Sequence, residues 1–381
     1  MKSISLGIAQ RISEYEYLIK KVSNKKEIFY MIPTNLETLL YYKKNNIKYI
    51  NLSEILDNKI HKESIREFQK ITSQINKDFT NEEILKKRYV GIIRKYFNSI
   101  FFISKTLDQI KKNFFIKKIY LSGWDSYDFN NINRNFLVSR IVFELYKSKF
   151  KIILFNKLKN NFFHYSLSLV LPKKINYDFI YINNLGYNFK KIVIKNFLMK
   201  RFKILTPDDK NLNPFKKFIY KILNVKFLKL KKKIINKKNL NLPNIKFKDK
   251  NIARLLNFRN QHVAQELENL IYQKQQYIKL FKIKKPKKFF LNNSRGINNF
   301  LISYARKEKI LCFLISHGTL SYQKNYYAKL YNDAIAEEVV DKKAINCAQT
   351  RLAFNYLKNC TSKKYILKTG NLIFSNGISK G

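Results

Sequence analysis

The chain has 381 residues, enough for two domains, and 45% of them are apolar, which excludes wholesale disorder. Its formal charge is +50, yet only 12 of the 76 basic residues are arginine. Nucleic-acid readers favour arginine for bidentate contacts, so the lysine excess is read first as a solvated surface of the kind AT-rich coding produces. Such a surface still attracts anionic lipid or phosphorylated ligands, and no nucleic-acid partner is expected. Cys312, Cys347 and Cys360 stand at no metal-like spacing and point to a reducing compartment without disulfides. The start, MKSISLGIAQRISEYEY, lacks the apolar core of a secretory signal, and no apolar run nears the ~20 residues that span a bilayer. The expected location is cytoplasmic, either soluble or peripheral at the inner face of the membrane.

In chain order, EIFYMI (27–32), NLETLLYYKKNN (35–46) and IKYINL (47–52) predict strand, helix and strand. Long helical patterns follow over 62–77 and 81–113, then a strand in KKIYLSGW (117–124). A helix over 134–149 and a strand over 151–156 continue the alternation. KIVIKNF (191–197) reads as a strand, with Pro207 and Pro214 breaking the pattern afterwards. Residues 226–250, rich in lysine and holding Pro243, read as a linker or exposed basic segment. A long helix over 252–281 leads to Pro286. KKFFLNNS (287–294), RGINNFLISYARKEK (295–309) and ILCFLISHGTLSYQ (310–323) then make a βαβ unit with parallel strands. A helix over 329–342, a strand over 344–350, a helix over 351–359 and a strand over 364–371 complete the chain.

The fold expected is α/β, two Rossmann-like domains with a helical insertion in the first. The boundaries expected are 1–245 for an acceptor-side domain, 246–285 for a basic linker and connecting helix, and 286–381 for a donor-side domain. The tail SNGISKG does not resemble a finished element, so the last domain is expected to be incomplete.

Open parallel sheets bind ligands beyond the carboxyl ends of their strands. Three polar ends recur in the last domain: NNSRG (292–296), SHGT (316–319) and KTGN (368–371). Glycines there let backbone amides approach a phosphate, and helix N-termini favour its charge. Arg295 can clamp a phosphate, Thr319 can hydrogen-bond one, and His317 can move a proton or donate to an oxyanion. Each glycine taken alone is more simply a tight turn. In the first domain, LSGWDSYD (121–128) sets the single tryptophan after a strand. Trp124 can stack on a sugar and Asp125 can act as a base toward an acceptor hydroxyl, although a capped loop explains the same residues.

The run LISHGT, an acidic helix, INCAQT and ILKTGN resembles the C-terminal half of GT-B-type glycosyltransferases that build bacterial capsule and lipopolysaccharide. The His-Gly-Thr is also similar to that of CDP-glycerol glycerophosphotransferases. The resemblance covers about 285–375, roughly a quarter of the chain, and departs from the family where Leu372 follows Asn371 in place of a proline. It implies two Rossmann-like domains facing across a cleft and metal-independent chemistry with no cofactor. His317 and Asp125 would be catalytic. Arg295, Gly296, Gly318, Thr319, Thr369, Gly370 and Asn371 would hold donor phosphate, and Trp124 would meet the acceptor. The implied partners are a nucleotide-activated sugar, a polysaccharide or lipid-linked acceptor, and an anionic membrane surface. The alternatives are a CDP-glycerol-type polyol-phosphate transferase, a nucleotide-sugar epimerase, and a non-enzymatic basic membrane- or RNA-binding protein. Against RNA stands the absence of an RRM-like or KH-like signature.

Overall fold

The computed structural model describes residues 2–9, 11–22, 28–34, 36–51, 57–79, 82–123, 138–156, 166–183, 185, 189–199, 202–208, 212–233, 240–315 and 340–370. The chain forms two compact units. One comprises 1–164 and 237–267, the other 165–236 and 268–381.

The first unit is built on a four-stranded parallel sheet of β1 (Lys2–Ala9), β2 (Phe29–Pro33), β3 (Phe114–Leu121) and β4 (Lys151–Leu154), in the order β2-β1-β3-β4. The sequence reading began the sheet at 27–32 and missed β1, its central strand. Ile4, Leu6 and Ile8 point to one face of β1 and Ser5, Gly7 and Ala9 to the other, so both faces are buried, as parallel strands require. The small residues are needed. A Cβ on Gly7 would lie 2.4 Å from the ring of Phe29 and 2.5 Å from Met31 Sδ. Of the strand expected over 47–52, residues 47–51 contribute a bridge from Tyr49 to Met31 rather than a strand, and Leu52 lies outside the described residues.

Helices α1 (Ile12–Lys21) and α2 (Leu36–Lys44) flank β2. Between β2 and β3 come α3 (Asn58–Asp78) and α4 (Glu83–Asn113), the expected helical insertion. Asp57 caps α3 by accepting from Ile60 N at 2.9 Å. The buried side of α4 (Tyr89, Ile93, Tyr96, Phe97, Ile100) repeats at helical spacing. Helix α5 (Val138–Tyr146) joins β3 to β4.

The second unit holds a seven-stranded sheet and a two-stranded antiparallel ribbon of β5 (Ser166–Leu169) and β9 (Leu230–Lys233). The sheet is made by β6 (Phe179–Ile182), β7 (Lys203–Pro207), β8 (Val225–Leu228), β10 (Lys288–Leu291), β11 (Leu311–Leu314), β12 (Ile345–Ala348) and β13 (Ile366–Lys368). Every pair is parallel, and the order is β8-β7-β6-β10-β11-β12-β13. Numbered within the sheet this is 3-2-1-4-5-6-7, the doubly wound order of nucleotide-binding folds with one strand added at the edge. Its helices are α6 (Lys190–Leu198), α7 (Pro214–Ile222), the part of α8 (Lys250–Ile283) from Glu268 onward, α9 (Ile297–Lys307) and α10 (Arg351–Cys360), residues 250–267 of α8 belonging to the first unit.

Three features differ from the sequence reading. Strands β6 to β8 pair into the second sheet, whereas the division at residue 245 placed them in the first domain. Residues 191–197 are helix rather than strand, because Phe189 and Val193, four apart, pack on the sheet and override the β preference of Ile-Val-Ile. The segment 226–250 is not all linker, since it opens on β8 and β9. Of the helix expected over 329–342, residues 329–339 lie outside the described residues and 340–342 are not helical, and the tail from 371 lies outside them as well.

One face of the large sheet carries Ile180, Ile182, Ile204 and Val225 against Val193 of α6 and Tyr220 of α7. On the other, Tyr181 and Phe289 meet Tyr277 and Phe281 of α8 and Tyr304 of α9 in a cluster of aromatic rings.

Candidate functional site

The winding of the second sheet reverses between β6 and β10, and their carboxyl ends flank the point where such folds bind ligands. Both strands are apolar and end on asparagine: FIYI runs into Asn183, and KFFL into Asn292 and Asn293. These amides form one network, buried at Asn292 and Asn298 and half-buried at Asn183 and Asn293. Asn183 Nδ2 donates to Asn298 Oδ1 at 2.6 Å, and Asn298 Nδ2 donates to Asn292 Oδ1 at 3.3 Å and Asn293 Oδ1 at 3.0 Å. Asn298 is 3% exposed, so each of these polar groups needs its partner. Below them the hydroxyls of Tyr181 and Tyr277 are hydrogen-bonded at 2.7 Å, with Tyr181 Oη 3.1 Å from Asn183 Oδ1. Burial raises both phenols, Tyr277 to about 12, so at neutral pH they are uncharged hydrogen-bonding groups.

The network shapes the turn that opens α9. Arg295 N donates to Asn293 Oδ1 at 3.0 Å, an Asx turn that fixes the backbone ahead of the helix. Gly296 then takes φ +52° and ψ −124° as N-cap, a conformation for glycine alone. Among the described residues no atom lies within 4 Å of where its Cβ would be, so conformation rather than crowding selects the glycine. The result is a helix N-terminus with Arg295 before it and open space beside Gly296, a favourable setting for an anion.

Thr369 and Gly370 belong to the same rim but to its far edge. Thr369 N and Oγ1 both donate to Ala348 O, at 3.0 and 3.2 Å, which ties the end of β13 to the end of β12. Gly370 has φ +65° and, among the described residues, nothing within 4 Å of its Cβ position. Three strand spacings separate β13 from β10, about 14 Å, so one phosphate cannot touch both turns, although an extended nucleotide can span them. Between them, Asn346 of β12 is 2% exposed and donates to Asp341 O and Ala344 O at 2.8 and 2.9 Å, pinning the entry to β12. Thr350 caps α10 at the rim by accepting from Ala353 N at 3.0 Å.

His317, Gly318, Thr319 and Asn371 lie outside the described residues, as do Trp124 and Asp125 of the first unit. The strand that leads to His317 is present: Ile315 N donates to Leu291 O at 2.8 Å, so β11 stays zipped to β10 up to the segment that carries it.

In the first unit, the segment that leads to Trp124 leaves β3 through a constrained turn. Gly123 has φ +76°, and a Cβ there would sit 2.2 Å from Asn156 O. Gly123 N donates to Ser139 Oγ at 3.3 Å, and Asn156 Nδ2 donates to Ser122 O at 2.7 Å. Thr34 Oγ1 donates to Ala9 O at 3.2 Å and ties the exit of β2 to that of β1.

The sequence reading had the turn 292–296 but not Asn183 or Asn298. The available signal was that FIYINN and KFFLNNS share one form, an apolar run ending on paired asparagines. Cys347 is raised to about 12 by burial and Cys312 is raised well above its usual range by the same cause, so neither thiol is a nucleophile. Among the described residues no group of three His, Cys, Asp or Glu is arranged to hold a metal ion. No family model matches the chain, and no curated protein or solved structure matches it either.

Proposed function

We propose that the chain is a glycosyltransferase that moves a sugar from a nucleotide-activated donor to a surface-polysaccharide or lipid-linked acceptor. The observation that carries this reading is the turn 292–296 at the sheet's reversal point, where Arg295 and Gly296 open α9 beside a built amide network. Such a turn suits the diphosphate of a donor: backbone dipoles and a guanidinium oppose the charge that grows on the leaving phosphate. In the reaction the bond from the sugar carbon to the donor phosphate oxygen breaks, and one to the acceptor hydroxyl oxygen forms. His317 takes the acceptor proton or hydrogen-bonds the departing phosphate. Asp125 is the alternative base, and Trp124 stacks on the acceptor sugar. Gly318, Thr319 and Asn371 complete the donor contacts with Thr369 and Gly370.

The test is a thermal-shift screen of nucleotide sugars together with CDP-glycerol, on the full chain. A true donor at 100 times its Kd should stabilise by about 2.7 kcal/mol. A shift with CDP-glycerol alone moves the reading to polyol-phosphate transfer. No shift with any of these compounds, in a protein that melts cooperatively, overturns it. Once a donor is found, His317→Ala should lower turnover by about 10²–10⁴-fold. His317→Gln separates the roles: activity kept in Gln and lost in Ala indicates phosphate binding, and loss in both indicates proton transfer.

A further inference from the structure

Helix α7 crosses from β7 to β8 with its apolar side turned outward. Phe215, Phe218, Ile219 and Ile222 are 69%, 61%, 39% and 57% exposed, and none of the nine helix residues is fully buried. Their spacing, i, i+3, i+4 and i+7, sets them on one face of the helix. With about 100° of rotation per residue, Lys216 and Lys221 fall on either side of that strip. Lys217 points elsewhere and pairs with Asp208 at 2.6 Å, while Tyr220 packs inward on the sheet. The helix is firmly made, with Asn213 accepting from Phe215 N at 2.8 Å and Pro214 in the first turn. The preceding crossover helix α6, packed on the same core, adds exposed Leu198 at 73%. A soluble surface has no use for two outward phenylalanines on one short helix, so something covers them.

We infer that α7 is a membrane-docking helix that lies in the interface of an anionic bilayer, its apolar strip among the acyl chains and Lys216 and Lys221 at the headgroups. This is the pattern of an interfacial helix: an apolar face, flanking lysines, and no need to span. Among the described residues no helix is long and apolar enough to cross a membrane. Charge selects lipid over a second copy of the chain. Two copies meeting on this face would bring four flanking lysines together in a protein of net charge +50, whereas anionic headgroups neutralise them. The inference gives the lipid-linked acceptor of the proposed function a place to be met, and it rests on that reading for its purpose alone.

The experiment needs neither donor nor acceptor, so its failure is distinct from failure of the transferase reading. The full chain is sedimented at about 0.15 M salt with vesicles of pure phosphatidylcholine, or of equal parts phosphatidylcholine and phosphatidylglycerol. It should bind the mixed vesicles and not the neutral ones. F215S/F218S should weaken binding about tenfold or more with the melting temperature unchanged, since both side chains are outside the core. K216Q/K221Q should lose about fivefold per lysine, and K111Q/K112Q, an equal charge change on α4 of the first unit, far less. Equal loss in the two lysine pairs, or wild-type binding by F215S/F218S, would return membrane attraction to the charge of the whole chain and overturn the inference. So would a concentration-dependent dimer that F215S/F218S dissolves without affecting vesicle binding, because the face would then be a subunit interface.

Discussion

Asn183 and Asn298 meet at 2.6 Å across the point where the winding of the large sheet reverses. One leaves β6 and the other lies in the first turn of α9, so the amide contact adds a side-chain tie above the β6–β10 backbone ladder. Asn298 spends its remaining donors on Asn292 and Asn293, and Asn293 in turn holds the amide of Arg295. The turn 292–296 is therefore built from below, by residues that need not touch a ligand.

Asn298→Ala strips a partner from the buried amide of Asn292 and from the half-buried amides of Asn183 and Asn293. The expected cost is about 1–3 kcal/mol, which for a unit of this size lowers the melting temperature by about 2–4 °C per kcal/mol. Nucleotide affinity should fall with it, because the turn is released. A melting temperature and a donor affinity both equal to wild type would show that the network holds nothing.

The βαβ unit around this turn was legible because Phe289, Leu291, Cys312 and Leu314 are buried strand residues between clear turn signals. Strand β6 was not, although FIYI is buried throughout, because four residues between irregular segments give no period to read. Strand β1 was hidden by its own packing: Gly7 must be small and the buried Ser5 is polar, which dilutes the apolar run. Strand β8 resembled a linker because it is the sheet's edge, where an exposed lysine such as Lys226 blunts further pairing. The outward face of α7 was readable as periodicity, but only burial tells which way such a face turns.

Arg295 and Gly296 can be separated by substitution. Arg295→Ala removes a charged donor while the Asx turn, made by backbone, remains, so donor affinity should fall about 10- to 100-fold with little change in melting temperature. Gly296→Ala forces a side chain into φ +52°, ψ −124° and should cost about 1–3 kcal/mol by strain, although there is room for the methyl group. Isothermal titration and thermal melts, run on both variants with the donor found in the screen, check the contrast. Equal affinity in Arg295→Ala and wild type would remove the guanidinium from the site.

Gly123→Ala tests the exit of β3. Here conformation and space both oppose the change, since φ is +76° and the added carbon would meet Asn156 O at 2.2 Å. The backbone must move, so the first unit should lose more than the roughly 1–3 kcal/mol of backbone strain alone. Hydrogen exchange resolved by segment should place the loosening in β3, β4 and their connection, with β10 and β11 protected as before. Uniform protection in the variant would show that the turn relaxes without consequence.

The paired phenols of Tyr181 and Tyr277 set an alkaline limit on the second unit. Burial raises both, Tyr277 to about 12, whereas an unfolded tyrosine titrates near 10. Between these values the unfolded chain has released a proton that the folded chain still holds, so stability falls as pH rises. It is fully present below about pH 10 and lost progressively through the folded value. Tyr277→Phe removes one such proton and leaves the ring contacts with Tyr181 and Phe281 in place. Near pH 8 the variant should be slightly less stable than wild type, having lost the 2.7 Å hydrogen bond. By pH 11 it should have gained stability relative to wild type, because its unfolded chain no longer releases a proton that the folded chain holds. Denaturant titrations at pH 8, 9.5 and 11, followed by a probe in the second unit, measure the gap. A difference that stays constant over that range would mean the Tyr277 hydroxyl is not held neutral by the fold.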